Sequence, residues 1–180
     1  MNTVSVRFSL SSRLLHWLMA VLILFMLFFG VGMAACISHR YSVLVSIHKP
    51  LGIAVLVLVV IRVLNRLMNR PPPLPATLPP MQRFAAHGSH IVLYAPMFIM
   101  PLIGWGMLSA AGYPIVLWGP WQLPPILLQQ ENLYAVLRQL HTLLAYALFL
   151  TVMVYLAAAL FHGLIRRDGV LESMASWRRE

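Results

Sequence analysis

Four long apolar runs constrain this sequence more than any other feature. Hydrophobic residues make up 61% of the 180 residues and charged residues only 9%, whereas a water-soluble domain carries about 25% charged residues. One helical crossing of a bilayer needs roughly 20 apolar residues. The runs therefore predict transmembrane helices at about 14–35, 43–64, 90–110 and 135–165. We expect an all-α integral membrane protein, a four-helix transmembrane bundle that forms a single domain over residues 1–180.

The distribution of the positive charges predicts how the helices are oriented. The formal charge is +9 at pH 7, yet few basic residues lie on one side of the predicted membrane, namely Arg40, Lys49 and Arg138. The others flank the opposite ends of the runs: Arg7, Arg13, Arg62, Arg66, Arg70, Arg83, Arg166, Arg167, Arg178 and Arg179. Positive residues concentrate in cytoplasmic loops, so both termini are predicted to be cytoplasmic. Nucleic acid is a disfavoured partner, because phosphate binding needs a basic face on a soluble element.

Prolines and tryptophans mark the segments that connect the runs. The proline-rich stretch 71–80 predicts a stiff, extended cytoplasmic linker, since successive prolines exclude helix. Pro50 is expected in the first turn of the second helix, where its missing N–H has no helical partner in any case. Residues 112–130 are expected to form a cap along the outer interface, with Trp118 and Trp121 at membrane-surface depth.

Histidines are the polar groups in the runs that could carry chemistry. If the helices alternate in direction, His48 and His141 lie level near the outer face and His16 lies near the inner face. Two neutral imidazoles on facing helices can supply both axial ligands of a haem iron; the alternative for each is an interhelical hydrogen bond. Gly104 and Gly106, on the third run, allow close approach of a neighbouring helix or of a planar cofactor.

Other catalytic signatures are absent from the sequence. The four acidic residues all fall in predicted loops or near the tail, which excludes paired-carboxylate chemistry inside the membrane: Glu131, Asp168, Glu172 and Glu180. A single cysteine, Cys36, excludes an internal disulfide and a multi-cysteine metal site. No glycine-rich phosphate loop is present.

Several short motifs centred on histidine follow one another in a specific order. They are His16-Trp17, Ile47-His48-Lys49 with Gly52, Ile61-Arg62-Val63-Leu64-Asn65-Arg66 before the proline-rich loop, Gly88-Ser89-His90 through Tyr94, and Leu140-His141. This order resembles the prokaryotic cytochrome b561 family, whose members are four-helix di-haem proteins of the bacterial inner membrane. The resemblance implies haem b as cofactor, membrane lipid as surroundings, and an outer haem held by His48 and His141.

The resemblance also implies an inner haem, held by His16 and by a second histidine on the fourth helix. At that position, fourteen residues after His141, this chain has Tyr155. Such a spacing returns close to the same helix face about 21 Å further along. Three possibilities remain open. His162 could replace the missing ligand, the inner haem could be held by His16 alone or be absent, or Tyr155 could bind as tyrosinate, which burial disfavours because it opposes ionisation. We therefore expect one or two haems.

Function follows from the resemblance as an expectation. It implies oxidation of superoxide on the outer side, with ubiquinone as the electron acceptor. The basic residues there, Arg40, Lys49 and Arg138, are candidates for steering a small anion, since a charged funnel raises its on-rate.

On the inner side, three arginines are candidates for pairing with haem propionates or with lipid phosphates: Arg13, Arg62 and Arg66. His87 and His90 are expected either at headgroup level or in a proton relay beside a quinone pocket.

Two rival functions fit the same sequence. One is a membrane electron-relay subunit that takes electrons from a periplasmic cytochrome or dehydrogenase and has no substrate of its own. The other is a haem-free membrane scaffold or transporter that uses its histidines for packing or metal passage. Four-helix bundles host many functions, so the fold alone does not separate them.

Overall fold

Four long helices dominate the computed structural model, which describes residues 8–35, 39–69 and 80–167. They are α1 (Leu10–Ala35), α2 (His39–Met68), α3 (Pro80–Ala110) and α4 (Glu131–Leu160). A π-helical turn, Phe161–Arg166, continues α4. The helical elements supply four stretches that are long and apolar enough to cross a bilayer. The prediction of an all-α, four-helix transmembrane bundle is confirmed.

The buried core of the bundle is small. Met19, Ile23 and Leu27 recur every four residues on α1 and so share one helix face. They pack against Val55 and Val59 of α2 and against α4. Most other apolar side chains point outward. In water so much exposed apolar surface would be unfavourable, whereas in a bilayer the lipid tails cover it.

Helices that are consecutive in the chain are also neighbours in space. α1 packs on α2, α2 on α3 and α3 on α4, while α1 and α4 touch at few positions. The four helices therefore form a ring in which the contact between α1 and α4 is the smallest. Because consecutive helices alternate in direction, α2 and α4 are parallel and lie diagonally across the bundle. If two residues on α2 and α4 lie at the same depth, the residues that follow each by the same number of positions therefore also lie at the same depth.

A two-stranded hairpin lies between α3 and α4. Strands β1 (Ile115–Trp118) and β2 (Trp121–Leu123) pair antiparallel, and Trp118 lies opposite Trp121. Gly119 has a φ of 53° at the turn, a conformation that glycine adopts without steric cost. The sequence placed a cap here but did not predict strands, because three or four residues are too few for an alternating pattern to show. We call this end of the bundle the hairpin end, and the other, which carries Arg13, Arg62 and Arg66, the arginine end.

Two prolines differ from their predicted positions. α2 begins at His39, so Pro50 lies inside the helix and the first-turn prediction is wrong. Proline there deprives the Ser46 carbonyl of its helical partner, which membrane helices tolerate when neighbours compensate. Pro80, assigned to the linker, is instead the first residue of α3, a position whose N–H needs no helical partner. The rest of the predicted linker, 71–79, lies outside the described residues.

A small polar network joins α1 to α2 at the arginine end. The hydroxyl of Ser11 donates to Asn65 Oδ1 at 2.8 Å, and Asn65 Nδ2 donates to the hydroxyl of Ser12 at 2.8 Å. Asn69 also donates to Asn65, but from within the last turn of the same helix. Asn65 is therefore the side chain through which the start of α1 and the end of α2 are held together.

We predict that Asn65→Ala destabilises the bundle by about 1 kcal/mol, because each of two interhelical hydrogen bonds in a membrane protein contributes about 0.6 kcal/mol. Equilibrium unfolding in mixed detergent micelles measures the loss. Asn69→Ala is the matched control, since its side chain contacts only its own helix. Equal stability of the two variants would contradict the assignment.

Candidate functional site

His48 and His141 meet across the diagonal of the bundle near the hairpin end. His48 is on α2 and His141 on α4, and their ring centroids lie 6.4 Å apart with the ring planes at 75°. The sequence placed these two residues at the same depth, and the structure brings their rings together in a T-shaped arrangement. Each lies further from its helix start than expected, because α2 and α4 both begin about four residues earlier than predicted.

The spacing of the two rings suits one metal ion between them. An imidazole nitrogen lies about 2 Å from a first-row metal and roughly 1 Å in front of its ring centre, so two imidazoles on one ion have centres about 6 Å apart. The Nδ1 atoms of both rings are buried and make no hydrogen bond to the described chain. Buried ring nitrogens left unpaired are costly, and metal coordination of the ring is one way in which that cost is offset.

The donor set at this site fits haem better than a bare ion. Within the described residues, no group of three or more His, Cys, Asp or Glu side chains could hold a metal. Two imidazoles alone are too few for a closed zinc site. A haem iron needs only axial ligands from the protein, because the macrocycle supplies the other four. The His48–His141 pair therefore fits haem.

Gly104 of α3 makes room for the His141 ring. A Cβ at this position would lie 3.3 Å from Cε1 and 3.6 Å from Nδ1 of His141. A contact of 3.3 Å is tighter than side chains normally make, so the ring would have to shift. Gly106 instead admits Leu127, whose Cδ1 would lie 3.0 Å from an added Cβ. The first glycine serves the site and the second serves ordinary packing.

A second polar cluster lies at the arginine end and takes one side chain from each helix. Arg62 of α2 donates from Nε to the hydroxyl oxygen of Tyr94 at 2.7 Å, and its Nη2 lies 3.1 Å from His16 Nδ1. Tyr155 of α4 lies close enough to Arg62 and Tyr94 to interact electrostatically with both. We call these four residues, His16, Arg62, Tyr94 and Tyr155, the Arg62 cluster.

The Arg62 cluster lies at the depth where the resemblance implies an inner haem. Arg62 follows His48 by fourteen residues, as Tyr155 follows His141, which places the cluster about 21 Å from the histidine pair. A guanidinium can only donate, so His16 accepts at Nδ1 and keeps its ring proton on Nε2. As placed, His16 offers iron no lone pair and Tyr155 offers a phenol. The described residues of this end do not fit a second six-coordinate haem.

The structure does not test the predicted roles of three other histidines. His162 lies in the π-helical turn, and His87 and His90 lie on α3. Their side chains are outside the described part of the structure. The possibility that His162 is a haem ligand therefore stays a prediction.

The predicted steering residues all lie at the hairpin end. Arg40 is exposed in the first turn of α2, and Lys49 is half-buried beside His48 in the sequence. Arg138 is exposed one turn before His141, with Nη1 3.4 Å from the Tyr134 hydroxyl. Among the described residues the only carboxylate is Glu131, at the start of α4. The described surface of the hairpin end therefore carries an excess of positive charge.

Sequence reasoning missed the contact between Arg62 and Tyr94. Tyr94 was noted only as part of a motif, although a phenol in an apolar run is expected to seek a partner inside a bundle. The guanidinium groups of Arg62 and Arg66 lie 5.6 and 5.9 Å from the centre of its ring. Two arginines on one helix face, four residues apart, were the signal that could have identified a partner.

Comparison with known proteins agrees with the motif order. The model of the prokaryotic cytochrome b561 family matches residues 7–177. Cytochrome b561 homolog 2 of Escherichia coli (strain K12) is 31% identical over 171 residues, which cover 93% of this chain and 90% of that protein. The probable superoxide oxidase CybB of Yersinia pestis is 28% identical over 166 residues, 92% of this chain and 93% of that protein. Cytochrome b561 homolog 1 of E. coli (strain K12) is 27% identical over 181 residues, 96% and 99% of the two chains.

We predict that side chains at position 104 disturb the histidine site in proportion to their size. Gly104→Ala should shift the absorption bands of bound haem, because the His141 ring must move by a few tenths of an ångström. Gly104→Val should weaken haem binding about tenfold if displacement of one ligand costs about 1.4 kcal/mol, and so lower the haem-to-protein ratio. Visible spectra of the purified variants measure both.

Gly30 of α1 provides the control for these substitutions, since a Cβ there would meet nothing within 4 Å. Gly30→Ala and Gly30→Val should keep the parent spectrum and haem content. A Gly104→Val protein with the parent spectrum would show that the His141 ring does not need this space.

Proposed function

The chain belongs to the prokaryotic cytochrome b561 family, and from this premise we propose that it oxidises superoxide on the outer side of the bacterial inner membrane and reduces ubiquinone. Membership makes it a haem b-binding, multi-pass membrane electron-transfer protein. The haem-free scaffold is accordingly not supported.

The observation that carries the proposal is the His48–His141 pair. Both rings come from long helices, the Nδ1 atom of each is buried, and the ring centroids lie 6.4 Å apart. Haem b, when bound, supplies an iron that takes up and releases one electron at a time. His48 and His141 would hold this iron, and Gly104 leaves room for the His141 ring.

The orientation of the bundle follows from its charges. Positive residues favour the cytoplasmic side, and the described arginine end carries Arg13 near the start of α1 and Arg62 and Arg66 near the end of α2. The arginine end and both termini are then cytoplasmic, and the hairpin end with its histidine pair faces the periplasm. Trp118 and Trp121, which are 85% and 75% exposed, suit the interface on that side.

Two features favour superoxide as the electron donor. A relative that is 28% identical over 92% of this chain bears the name probable superoxide oxidase. The hairpin end also carries Arg40, Lys49 and Arg138 close to the histidine pair, and such a cationic surface attracts a small anion. The reaction balances as two superoxide ions giving up one electron each to become dioxygen, while one quinone takes up both electrons and two protons to become quinol.

A relay subunit remains the second candidate function, favoured by the exposed tryptophans of the hairpin. Trp118 and Trp121 lie opposite each other at the tip, and exposed aromatic residues are typical of protein contacts. In this case the donor would be a periplasmic cytochrome or dehydrogenase. Reduction of the bound haem by superoxide in a purified sample, with no other protein present, would decide against it.

We predict that His48→Ala and His141→Ala each abolish the haem bound at the hairpin end, because a buried axial ligand is lost. Pyridine haemochrome assays and reduced-minus-oxidised spectra measure the loss. His39→Ala is the matched control, since His39 is exposed at the start of α2. Size-exclusion profiles in detergent show whether the variants remain folded. Unchanged haem content in both site variants would overturn the proposed ligands.

We predict that Lys49→Glu slows superoxide-dependent haem reduction by about threefold to tenfold at low salt, because it reverses one charge of the steering surface. Stopped-flow absorbance measures the rate, and the spectrum of the fully dithionite-reduced protein serves as the control that should not change. The parent rate should fall as ionic strength rises. A parent rate that is independent of salt would contradict electrostatic steering.

A further inference from the structure

A partly open cavity of about 360 Å³ lies at the hairpin end of the bundle. It is enclosed by the last turns of α3, by the hairpin, and by residues 124–130, which we call the connecting segment because they lead to α4. Its volume falls in the range of about 300–1,000 Å³ that is typical of small-molecule sites. Neither His48 nor His141 lines it. The cavity is therefore a second candidate site at this end, distinct from the histidine pair.

Hydrogen bonds to α3 hold the connecting segment in place as one wall of the cavity. The indole N–H of Trp105 donates to the Pro124 carbonyl at 3.0 Å, and the backbone N–H of Ile126 donates to the Ser109 hydroxyl at 3.1 Å. Ser109 is only 5% exposed, and its hydroxyl donates in turn to the Trp105 carbonyl. The wall is thus fixed by a buried, fully bonded serine. A pocket formed in advance binds its ligand with a smaller loss of conformational entropy.

The lining of the cavity is mainly apolar and carries no charge. Most of its surface comes from apolar atoms, and among the described residues that line it none is acidic or basic. Its aliphatic side chains are Leu108, Ile115, Leu123, Leu127 and Leu128. A charged ligand would lose hydration here without gaining an ion pair, which is unfavourable. Superoxide and phosphate groups are therefore poor ligands, and an uncharged molecule with a large apolar part is favoured.

Three polar side chains that line the cavity have hydrogen-bonding groups to offer a ligand. Tyr113, Gln122 and Gln129 are exposed, and their side chains make no hydrogen bond within the described residues. Gly112 allows one of them to approach α3 closely. Its φ is 74°, and a Cβ there would lie 2.7 Å from Nε2 of Gln129. Two carboxamides and a phenol can each donate a hydrogen bond, so they suit ester, carbonyl or hydroxyl oxygens.

The position of the cavity indicates that its ligand comes from the bilayer. Trp118 and Trp121, in the hairpin that forms one wall, are 85% and 75% exposed, and exposed tryptophans of membrane proteins lie at headgroup level. Leu128, which lines the cavity, is 89% exposed. An uncharged molecule with a large apolar part is concentrated in the membrane, so the outer leaflet is its source.

We propose that this cavity binds an uncharged glyceride from the outer leaflet, of which a monoacylglycerol is the simplest form. The hydrocarbon chain lies against the leucine and isoleucine side chains, and the ester and hydroxyl oxygens accept hydrogen bonds from Tyr113, Gln122 and Gln129. Neither superoxide nor quinone takes part in this binding. The site therefore goes beyond the proposed function, and the failure of one leaves the other intact.

The test uses the purified full-length protein with its haem, in phosphatidylcholine nanodiscs, and a monoacylglycerol whose acyl chain carries a photoreactive diazirine. After irradiation, peptide mass spectrometry should place the label within residues 105–129, and labelling should saturate at one molecule per chain. Unlabelled monooleoylglycerol should compete with the label. Lysophosphatidylglycerol, which has the same kind of chain but a negative charge, should compete at least tenfold less well.

Two variants remove different parts of the site. Gln129→Leu should weaken binding about threefold to tenfold, as expected for loss of one neutral hydrogen bond. Leu108→Trp fills the cavity and should reduce labelling of residues 105–129 to background. Gln130→Leu is the matched control, because Gln130 is exposed, does not line the cavity and makes no side-chain cap to α4. If Leu108→Trp fails to fold, the exposed Gln122→Leu and Gln129→Leu still provide the comparison.

Several results would overturn the site. Labelling spread over the lipid-facing surfaces of all four helices without saturation would mean that the glyceride acts only as bulk lipid. Equal competition by lysophosphatidylglycerol would contradict the preference for an uncharged ligand. Parent affinity in both Gln122→Leu and Gln129→Leu, or an equal loss in Gln130→Leu, would contradict the assigned hydrogen bonds. The haem spectrum of each variant should match that of the parent, which shows that the histidine pair is intact.

Discussion

The bilayer provides no hydrogen-bonding partners for side chains, and the rest of this structure depends on that constraint. A polar group in a transmembrane helix must find its partner inside the bundle or in a ligand. Most residues of these four helices are apolar and face lipid, so the few polar ones are concentrated at two depths. Near the hairpin are two imidazoles with unpaired buried nitrogens; near the arginine end is a guanidinium that joins side chains from neighbouring helices. The four helices hold these two layers of polar side chains at separate depths in the membrane.

The helices and the layer that contains the two imidazoles could be predicted from the sequence. Both depend on the order of residues along the chain and not on how the helices pack. Runs of about 20 apolar residues identify crossings, and alternation of direction puts His48 and His141 at the same level without any knowledge of packing. Helix ends were less accurate. α2 starts at His39 because polar residues such as Ser42 continue the helix beyond the apolar run, with the Ser42 hydroxyl donating back to the His39 carbonyl. A helical turn made of polar residues has low hydropathy, so the apolar run does not include it.

The second layer depends on how each helix is rotated about its axis, which a single sequence does not specify. Arg62 was interpreted as a topology signal or a propionate partner, and its contacts with His16 and Tyr94 appear only once three helices are assembled. The hairpin was missed for another reason, since strands of four and three residues carry too little pattern. Tyr155, in contrast, was identified because the family resemblance implies a ligand fourteen residues after His141, and the structure adds which neighbours surround it.

The π-helical turn at Phe161–Arg166 changes how the end of α4 should be interpreted. A π-turn holds more residues than an α-turn, so side chains beyond Leu160 progressively lose phase with those before it. At a constant 3.6 residues per turn, His162 would lie close to the helix face of Tyr155, seven residues earlier, but this period does not hold across the boundary. Side-chain directions inferred for Phe161 and later residues from the α-helical period are therefore offset. An alignment to a relative whose fourth helix stays regular would assign these side chains the wrong directions, even where the two sequences align without a gap.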